Sequence, residues 1–285
     1  MFLDQLQIHW VWFALLAMLF AGMAPVLAKA GLKYTSEASA AALALCVLVF
    51  FAWSGYMTTT TSLVLTGFGF RNYLILLIGG IISGVAVLCF TSALNQMGVH
   101  EAVPFQKLVL VLTLLYGIVV EKSMVSTVVM VAMVLVVVGI ILLAVDSSNR
   151  GGLMMAVLFA VLLTILHVLD QMFPATIDAG LVYPIRITIA CIVCWLMVIF
   201  SKGSKEWKKI TLYSALMCLL AGCSYCLSTI AYARALGVGE PTVVGPLYNC
   251  SIMVAVMCAV LFLKEKVGRK GVIGLVCILI GMFVL

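Results

Sequence analysis

Ten apolar runs, at 10–30, 36–56, 73–94, 102–120, 124–145, 153–171, 181–200, 212–236, 242–263 and 267–285, leave this chain few ways to fold. Each is close to the length of helix, roughly 20 residues, that crosses a bilayer core. A backbone exposed to lipid must satisfy its own hydrogen bonds, so spanning segments are helices or a closed barrel. Barrel strands would show alternating segments of about ten residues. These runs are continuous, as 125–145 shows, and predict an all-α integral membrane protein of ten transmembrane helices.

Composition agrees. Of 285 residues, 66% are hydrophobic and 9% are charged, with a mean hydropathy of +1.31. A water-soluble surface needs about a quarter charged residues. The formal charge of +6 sits mostly in short loops, the pattern that sets membrane topology, and no extended basic surface suits nucleic acid. The segment 1–9 carries no Lys or Arg, so run 10–30 reads as a retained span rather than a signal peptide. The ten cysteines lie largely within apolar runs and read as small hydrophobes. The spacings Cys191/Cys194 and Cys223/Cys226 suit a thiolate metal site only formally, and neither a metal nor a cofactor is expected. No phosphate-binding loop, H-E-x-x-H or G-x-S-x-G occurs, which argues against ATP-driven pumping and hydrolysis. The expected partners are a small-molecule substrate and the lipid bilayer, the protein itself being a monomer or homodimer.

Internal repetition organises the chain. Leu94 recurs as Leu236, Glu121 as Glu265 and Gly139 as Gly281, at offsets of 142, 144 and 142. The chain therefore divides into two five-helix repeats, 1–145 and 146–285, which together form one transmembrane domain. An odd number of spans turns the second copy over. Inverted repeats place a substrate site near the bilayer midplane and alternate access to it.

The pairs Ala93-Leu94 and Ala235-Leu236, the acidic ends at Glu121 and Glu265, and the Gly139 and Gly281 helices resemble the drug/metabolite transporter superfamily, EamA type. The stretches 231–236, 246–249 and 263–266 carry the resemblance best, and it covers essentially the whole chain. It implies ten helices around a central cavity lined by spans one to four and six to nine, with spans five and ten as peripheral supports. It also implies a multi-pass protein of a bacterial-type inner cell membrane that exports small molecules rather than an enzyme. The chain departs from the pattern where an early second-span arginine is replaced by 38–42, with Arg186 as its seventh-span equivalent. The prolines of the fourth and ninth spans stand at Pro104 and Pro246.

Loop charges are one-sided. Lys29, Lys33, Arg150, Lys202, Lys205, Lys208, Lys209, Lys264, Lys266, Arg269 and Lys270 fall on one face, and Arg71, Lys122 and Arg234 on the other. The charge rule makes the first, basic face cytoplasmic and puts both termini outside, whereas the resemblance implies termini inside.

Ionisable groups inside spans cost about 2.5–3.5 kcal/mol on insertion scales and so call for a role. Lys107, beside Gln106, falls opposite 249–251 when shifted by the repeat offset. It either anchors an anion together with Asn249 or snorkels to the interface. His167 and Asp170 share a helix face and either suit proton coupling or, with the span ending before Phe173-Pro174, leave Asp170 at the water interface. Arg186 either faces an anionic substrate, pairs with Asp170 or anchors the interface. Trp12, Tyr232 and Tyr248 are candidates for an aromatic cavity wall, against ordinary packing. Pro25 is expected to interrupt span one, the 79–84 segment to permit close packing, and Glu101 and Glu240 to cap helix starts.

These residues predict a secondary transporter of a small metabolite or drug-like compound, amino-acid-like substrates included, driven by protons or exchange. The alternatives are an exchanger of anionic sugar phosphates or nucleotide sugars, with Lys107 and Arg186 as a clamp, and a membrane enzyme or scaffold without flux.

Overall fold

The computed structural model describes residues 9–59, 69–147, 149–173, 179–200 and 210–284. All regular structure in them is helical: α1 (His9–Leu32), α2 (Glu37–Thr59), α3 (Phe70–Gln96), α4 (Val99–Ala102), a 3-10 turn (Val103–Lys107), α5 (Leu108–Val119), α6 (Thr127–Asp146), α7 (Arg150–Gln171), α8 (Ala179–Phe200), α9 (Leu212–Val238), α10 (Pro241–Asn249), α11 (Ser251–Phe262) and α12 (Arg269–Val284). Nine stretches among the described residues are long and apolar enough to span a bilayer, with α4–α5 and α10–α11 each counting as one. The 16-residue α12 lies along α6 and completes the ten. Lysines 202–209 fall outside the described residues.

The structure corrects two expectations of continuity in opposite directions. Helix α1 runs unbroken through Pro25. The fourth and ninth spans, read above as single helices, are broken: one by the 3-10 turn that contains Pro104, the other at Cys250 after Pro246. Proline has no N–H to give to the carbonyl four residues back, so each helix loses a rung there. Both prolines and both breaks stand 142 residues apart.

That spacing recurs in the backbone and in the packing. Among the described residues the non-glycine positions with left-handed backbone are Lys122 (φ 53°) and Lys264 (φ 56°). Each closes its helix the same way, Ser123 N–H donating to the Gly117 carbonyl and Glu265 N–H to that of Ala259. The register is thus 142 here too, so Ser123 is the counterpart of Glu265. The equation of Glu121 with Glu265 at an offset of 144 was a misalignment. Trp53 donates its indole N–H to Thr188 Oγ1 (3.0 Å) and Trp195 donates to Cys46 Sγ (3.3 Å), a contact and its mirror image between α2 and α8. Glycines pair likewise. A Cβ on Gly139 would stand 2.5 Å from the Gly274 carbonyl, and one on Gly281 would stand 2.9 Å from the carbonyl of Ala132, the counterpart of Gly274. Gly80 lies against Ile189, and Gly222 against Val47. Without a hydrophobic driving force in lipid, such small-residue contacts let helices associate closely.

The repeats are interleaved. Helix α1 packs on α9 and α11, and α2 on α9; in mirror image, α7 packs on α3 and α5, and α8 on α3. This makes two bundles, α1–α2–α9–α10–α11 and α3–α4–α5–α7–α8, each drawn from both repeats. They meet along α2–α8, are braced by α6–α12, and enclose the line of approximate two-fold symmetry.

Candidate substrate site between the bundles

The two broken spans meet at their breaks. Lys107, the last residue of the 3-10 turn, donates from Nζ to Asn249 Oδ1 at 2.8 Å. Its ammonium stands 5.7 Å from the centroid of the Tyr248 ring, and Tyr248 stacks on Tyr232 at 4.4 Å with 37° between the planes. Lys107 is 8% exposed and ion-pairs with no carboxylate among the described residues. Gln106 is half-buried beside it. Of the sequence candidates, Lys107, Asn249, Tyr248 and Tyr232 are therefore brought together, with Gln106 at the same break. Trp12 is set apart. It is 61% exposed on a stripe with Leu16, Leu19 and Met23, and the counterparts Met154, Leu158, Val161 and Ile165 form the same exposed stripe on α7.

A second group lies toward the far face, opposite the basic one. The Arg186 guanidinium donates to the Asp170 carboxylate, tying α8 to α7. The aliphatic part of Arg186 passes over Gly79 of α3, where a Cβ would meet its Cδ at 3.8 Å. His167 is exposed and donates from Nδ1 to the Leu163 carbonyl of its own helix at 2.7 Å. That bond fixes the proton on Nδ1 and leaves Nε2 free to take up another. His167 does not bond Asp170; its position, seven residues beyond buried Ala160, keeps it on the protein-facing arc of α7.

Two tyrosines that the sequence reading did not single out belong here. Tyr225 sits at the middle of α9 on the same arc as buried Cys218, Ala221 and Ser228, yet it is 44% exposed. Tyr183 shares an arc of α8 with buried Ile187, Ala190 and Cys194, yet it is 37% exposed. Tyr183, Tyr248 and Arg186 all lie within electrostatic reach of the Tyr225 phenol. Surface exposed on the inward arc of a helix faces a cavity, not lipid. These side chains form a chain of neighbours from Lys107 and Tyr248 past Tyr225 to Tyr183, Arg186 and Asp170. For Tyr225 the available sequence signal was its flanking by the small residues Ala221, Gly222, Ser228 and Thr229, three or four positions away.

The two bundles are tied together at the basic face. Lys29 Nζ donates to the carbonyls of Leu94, Asn95 (3.3 Å) and Met97 (2.8 Å), where α3 ends. Glu265 accepts from the backbone N–H groups of Val99 (2.9 Å) and His100 (3.4 Å) and from His100 Nδ1 (2.7 Å). Glu101 accepts from Gly98 N–H and from the Ser147 hydroxyl, both at 3.3 Å, and so caps its helix as expected. Glu240 places no side-chain hydrogen bond on α10. The contacts of α1 with α3 and of α4 with α11 at the basic face lack comparable counterparts between α7 and α9 or α10 and α5 at the far face. Two open hollows of about 740 and 700 Å³ flank Lys33 and Tyr34 at the basic face, the first of them reaching Asn95.

Comparison with known proteins agrees with this architecture. A solved crystal structure superposes with a TM-score of 0.61 at 14% identity, over 98% of this chain and 97% of its own, a likeness of fold. No curated protein matches the sequence. The EamA-like transporter family matches twice, over residues 8–145 and 150–285, on either side of the α6–α7 connection. With two matches covering nearly its entire length, the chain belongs to the EamA-like transporter family.

Proposed function

We propose that this multi-pass membrane transporter exports a small metabolite bearing a carboxylate, amino-acid-like compounds included, by alternating exposure of the Lys107–Asn249 site. One observation carries the reading. Lys107 is a buried cation whose partners are an amide oxygen and an aromatic face, with no carboxylate among the described residues. A cation held in a water-poor site favours an anion that brings the missing charge. Tyr248, Tyr232 and Gln106 stand beside it to meet the rest of the substrate. Export and residence in a bacterial-type inner membrane are what the family resemblance implies.

His167 supports proton coupling, since its ring is exposed and, among the described residues, its Nδ1 alone is engaged, by the Leu163 carbonyl. Arg186, in contrast, is already neutralised by Asp170. A sugar-phosphate clamp of Lys107 and Arg186 would first have to displace that carboxylate, which favours the singly charged substrate. The charge count supports the basic face as cytoplasmic; a C-terminal reporter active outside the cell is the expected result.

The test is flux into proteoliposomes screened with monocarboxylates, amino acids and sugar phosphates. Lys107→Gln should abolish flux of the active compound while the protein remains folded, and His167→Ala should make flux independent of an imposed pH gradient. Full flux in Lys107→Gln would reject the site.

A further inference from the structure

The internal two-fold makes each face a control for the other, and the comparison exposes a device present on one face only. At the basic face, Lys29, His100 and Glu265 join α1 to the end of α3 and the α11–α12 connection to the start of α4, which are contacts between the two bundles. At the far face, the counterparts of these residues are neutral. Gln171 stands for Lys29, Thr242 for His100 and Ser123 for Glu265. The backbone is altered as well. Val99 gives its N–H to Glu265, but its counterpart Pro241 has none to give. Far-face Glu121 cannot substitute, since it is exposed and makes no hydrogen bond or ion pair among the described residues.

We infer that Lys29, His100 and Glu265 form a one-sided latch that sets the resting state of the empty transporter, holding the basic face closed and the far face open. The inference rests on alternating access but not on the identity of the substrate. Closing the far face in the other half of the cycle brings Gln171, Thr242 and Ser123 to the corresponding places, and these neutral groups cannot form the charge-assisted hydrogen bonds that the closed basic face gains. These are about twice as strong as neutral ones. A symmetric pair of faces would leave the two states near balance. The latch tips that balance without touching the Lys107 site. It therefore acts on the ratio of the two states and on the rate of opening toward the basic face.

The test is a pair of spin-label distances in lipid nanodiscs with no ligand added. One pair, at Lys33 and Arg150, crosses the basic mouth between the bundles; the other, at Met172 and Arg234, crosses the far mouth. The unsubstituted latch should give single populations, short at the basic mouth and long at the far mouth. Glu265→Gln and Lys29→Gln should each add a population with the basic distance lengthened and the far distance shortened together. Ser123→Glu combined with Pro241→Val rebuilds the carboxylate and its donor at the far face, and should shift the population the same way with the latch intact. Unchanged distances in folded Glu265→Gln and Lys29→Gln proteins would overturn the latch. Lengthening at the basic mouth without shortening at the far mouth would also overturn it, since that reports local fraying rather than a change of state. Failure of every carboxylate in the flux screen would defeat the substrate reading and leave these distances unaffected.

Discussion

A residue and its internal counterpart can touch only on the axis that exchanges them. Lys107 and Asn249 are such a pair, 142 residues apart and hydrogen-bonded. The same position in the two repeats thus holds a cation in one and an amide in the other. A symmetric choice fails for physical reasons. Two lysines would repel at contact distance, and two asparagines would offer an anion no charge. Holding the ammonium there costs stability, because burial strips its water and no carboxylate among the described residues replaces it. Lys107→Met keeps the volume and removes the charge. It should therefore abolish binding yet raise thermal stability by about 1–3 kcal/mol, checked by unfolding in detergent beside a flux assay. A loss of stability would mean that the ammonium supports the fold instead. Other cavity residues break the symmetry further. Tyr183, Arg186, His167 and Asp170 stand where the first repeat has Ala41, Ala44, Pro25 and Ala28. The far half of the cavity is chemically equipped by the second repeat, and the site is read best from how the copies differ.

Among the elements, the bracing pair α6–α12 is fixed by glycine contacts at both ends. A side chain at Gly139 would have to displace the Gly274 backbone, which cannot yield as a side-chain tip can. Gly139→Val should cost about 1–3 kcal/mol, whereas Gly237→Ala, with nothing within 4 Å of its added Cβ, should gain up to about 1 kcal/mol. Unfolding midpoints of the two variants would separate packing from propensity. The connection after α11 carries a second prediction. Burial pushes the Glu265 carboxyl up, but hydrogen bonds from His100 and from the backbone of Val99 and His100 outweigh it and hold the group below its ordinary value. Lys29 adds a favourable charge and Glu101 lies within the same field. A carboxyl lowered on folding stabilises above its unfolded pKa, and that stability is lost as pH falls through the folded value. The thermal midpoint should fall from pH 5 downward and fall less in Glu265→Gln. The spans themselves were legible in the sequence because lipid imposes length and apolarity. The breaks at Pro104 and after Pro246 were not, because an apolar run looks the same whether one helix or two cross it. The proton-sensitive contact was missed for another reason. Glu121 and Glu265 look equivalent as letters, and only the shared left-handed turn at Lys122 and Lys264 shows that Ser123 holds the corresponding place.

For the whole molecule, the decisive fact is that neither repeat is packed on itself. Helix α1 finds its main neighbours in α9 and α11, and α3 finds its own in α7 and α8. Cut out alone, the first repeat would present the glycine face of α3 at Gly80 and Gly84 to lipid, where acyl chains fit a backbone groove poorly. It would also leave Lys107 without Asn249. The second repeat would lose the seats of Gly222 on Val47 and of Trp195 on Cys46. Residues 1–147 and 148–285 expressed separately should therefore each aggregate or be degraded, although each contains five spans. Expressed together as two chains they should assemble, because the packing that joins them does not run through the α6–α7 connection. Co-purification of the halves, with the Lys33–Arg150 distance of the intact protein, checks this. A first half that is stable and monodisperse by itself would mean that each repeat has its own core, and the bundles would then be the wrong units of motion. Interleaving also explains why so loose a repeat still yields so regular a fold. Each contact that places one bundle has a mirror image placing the other, so a substitution that keeps close packing in one copy needs no match in its counterpart. The copies can then diverge wherever a groove is not at stake, and the cavity and its two mouths lie in those places.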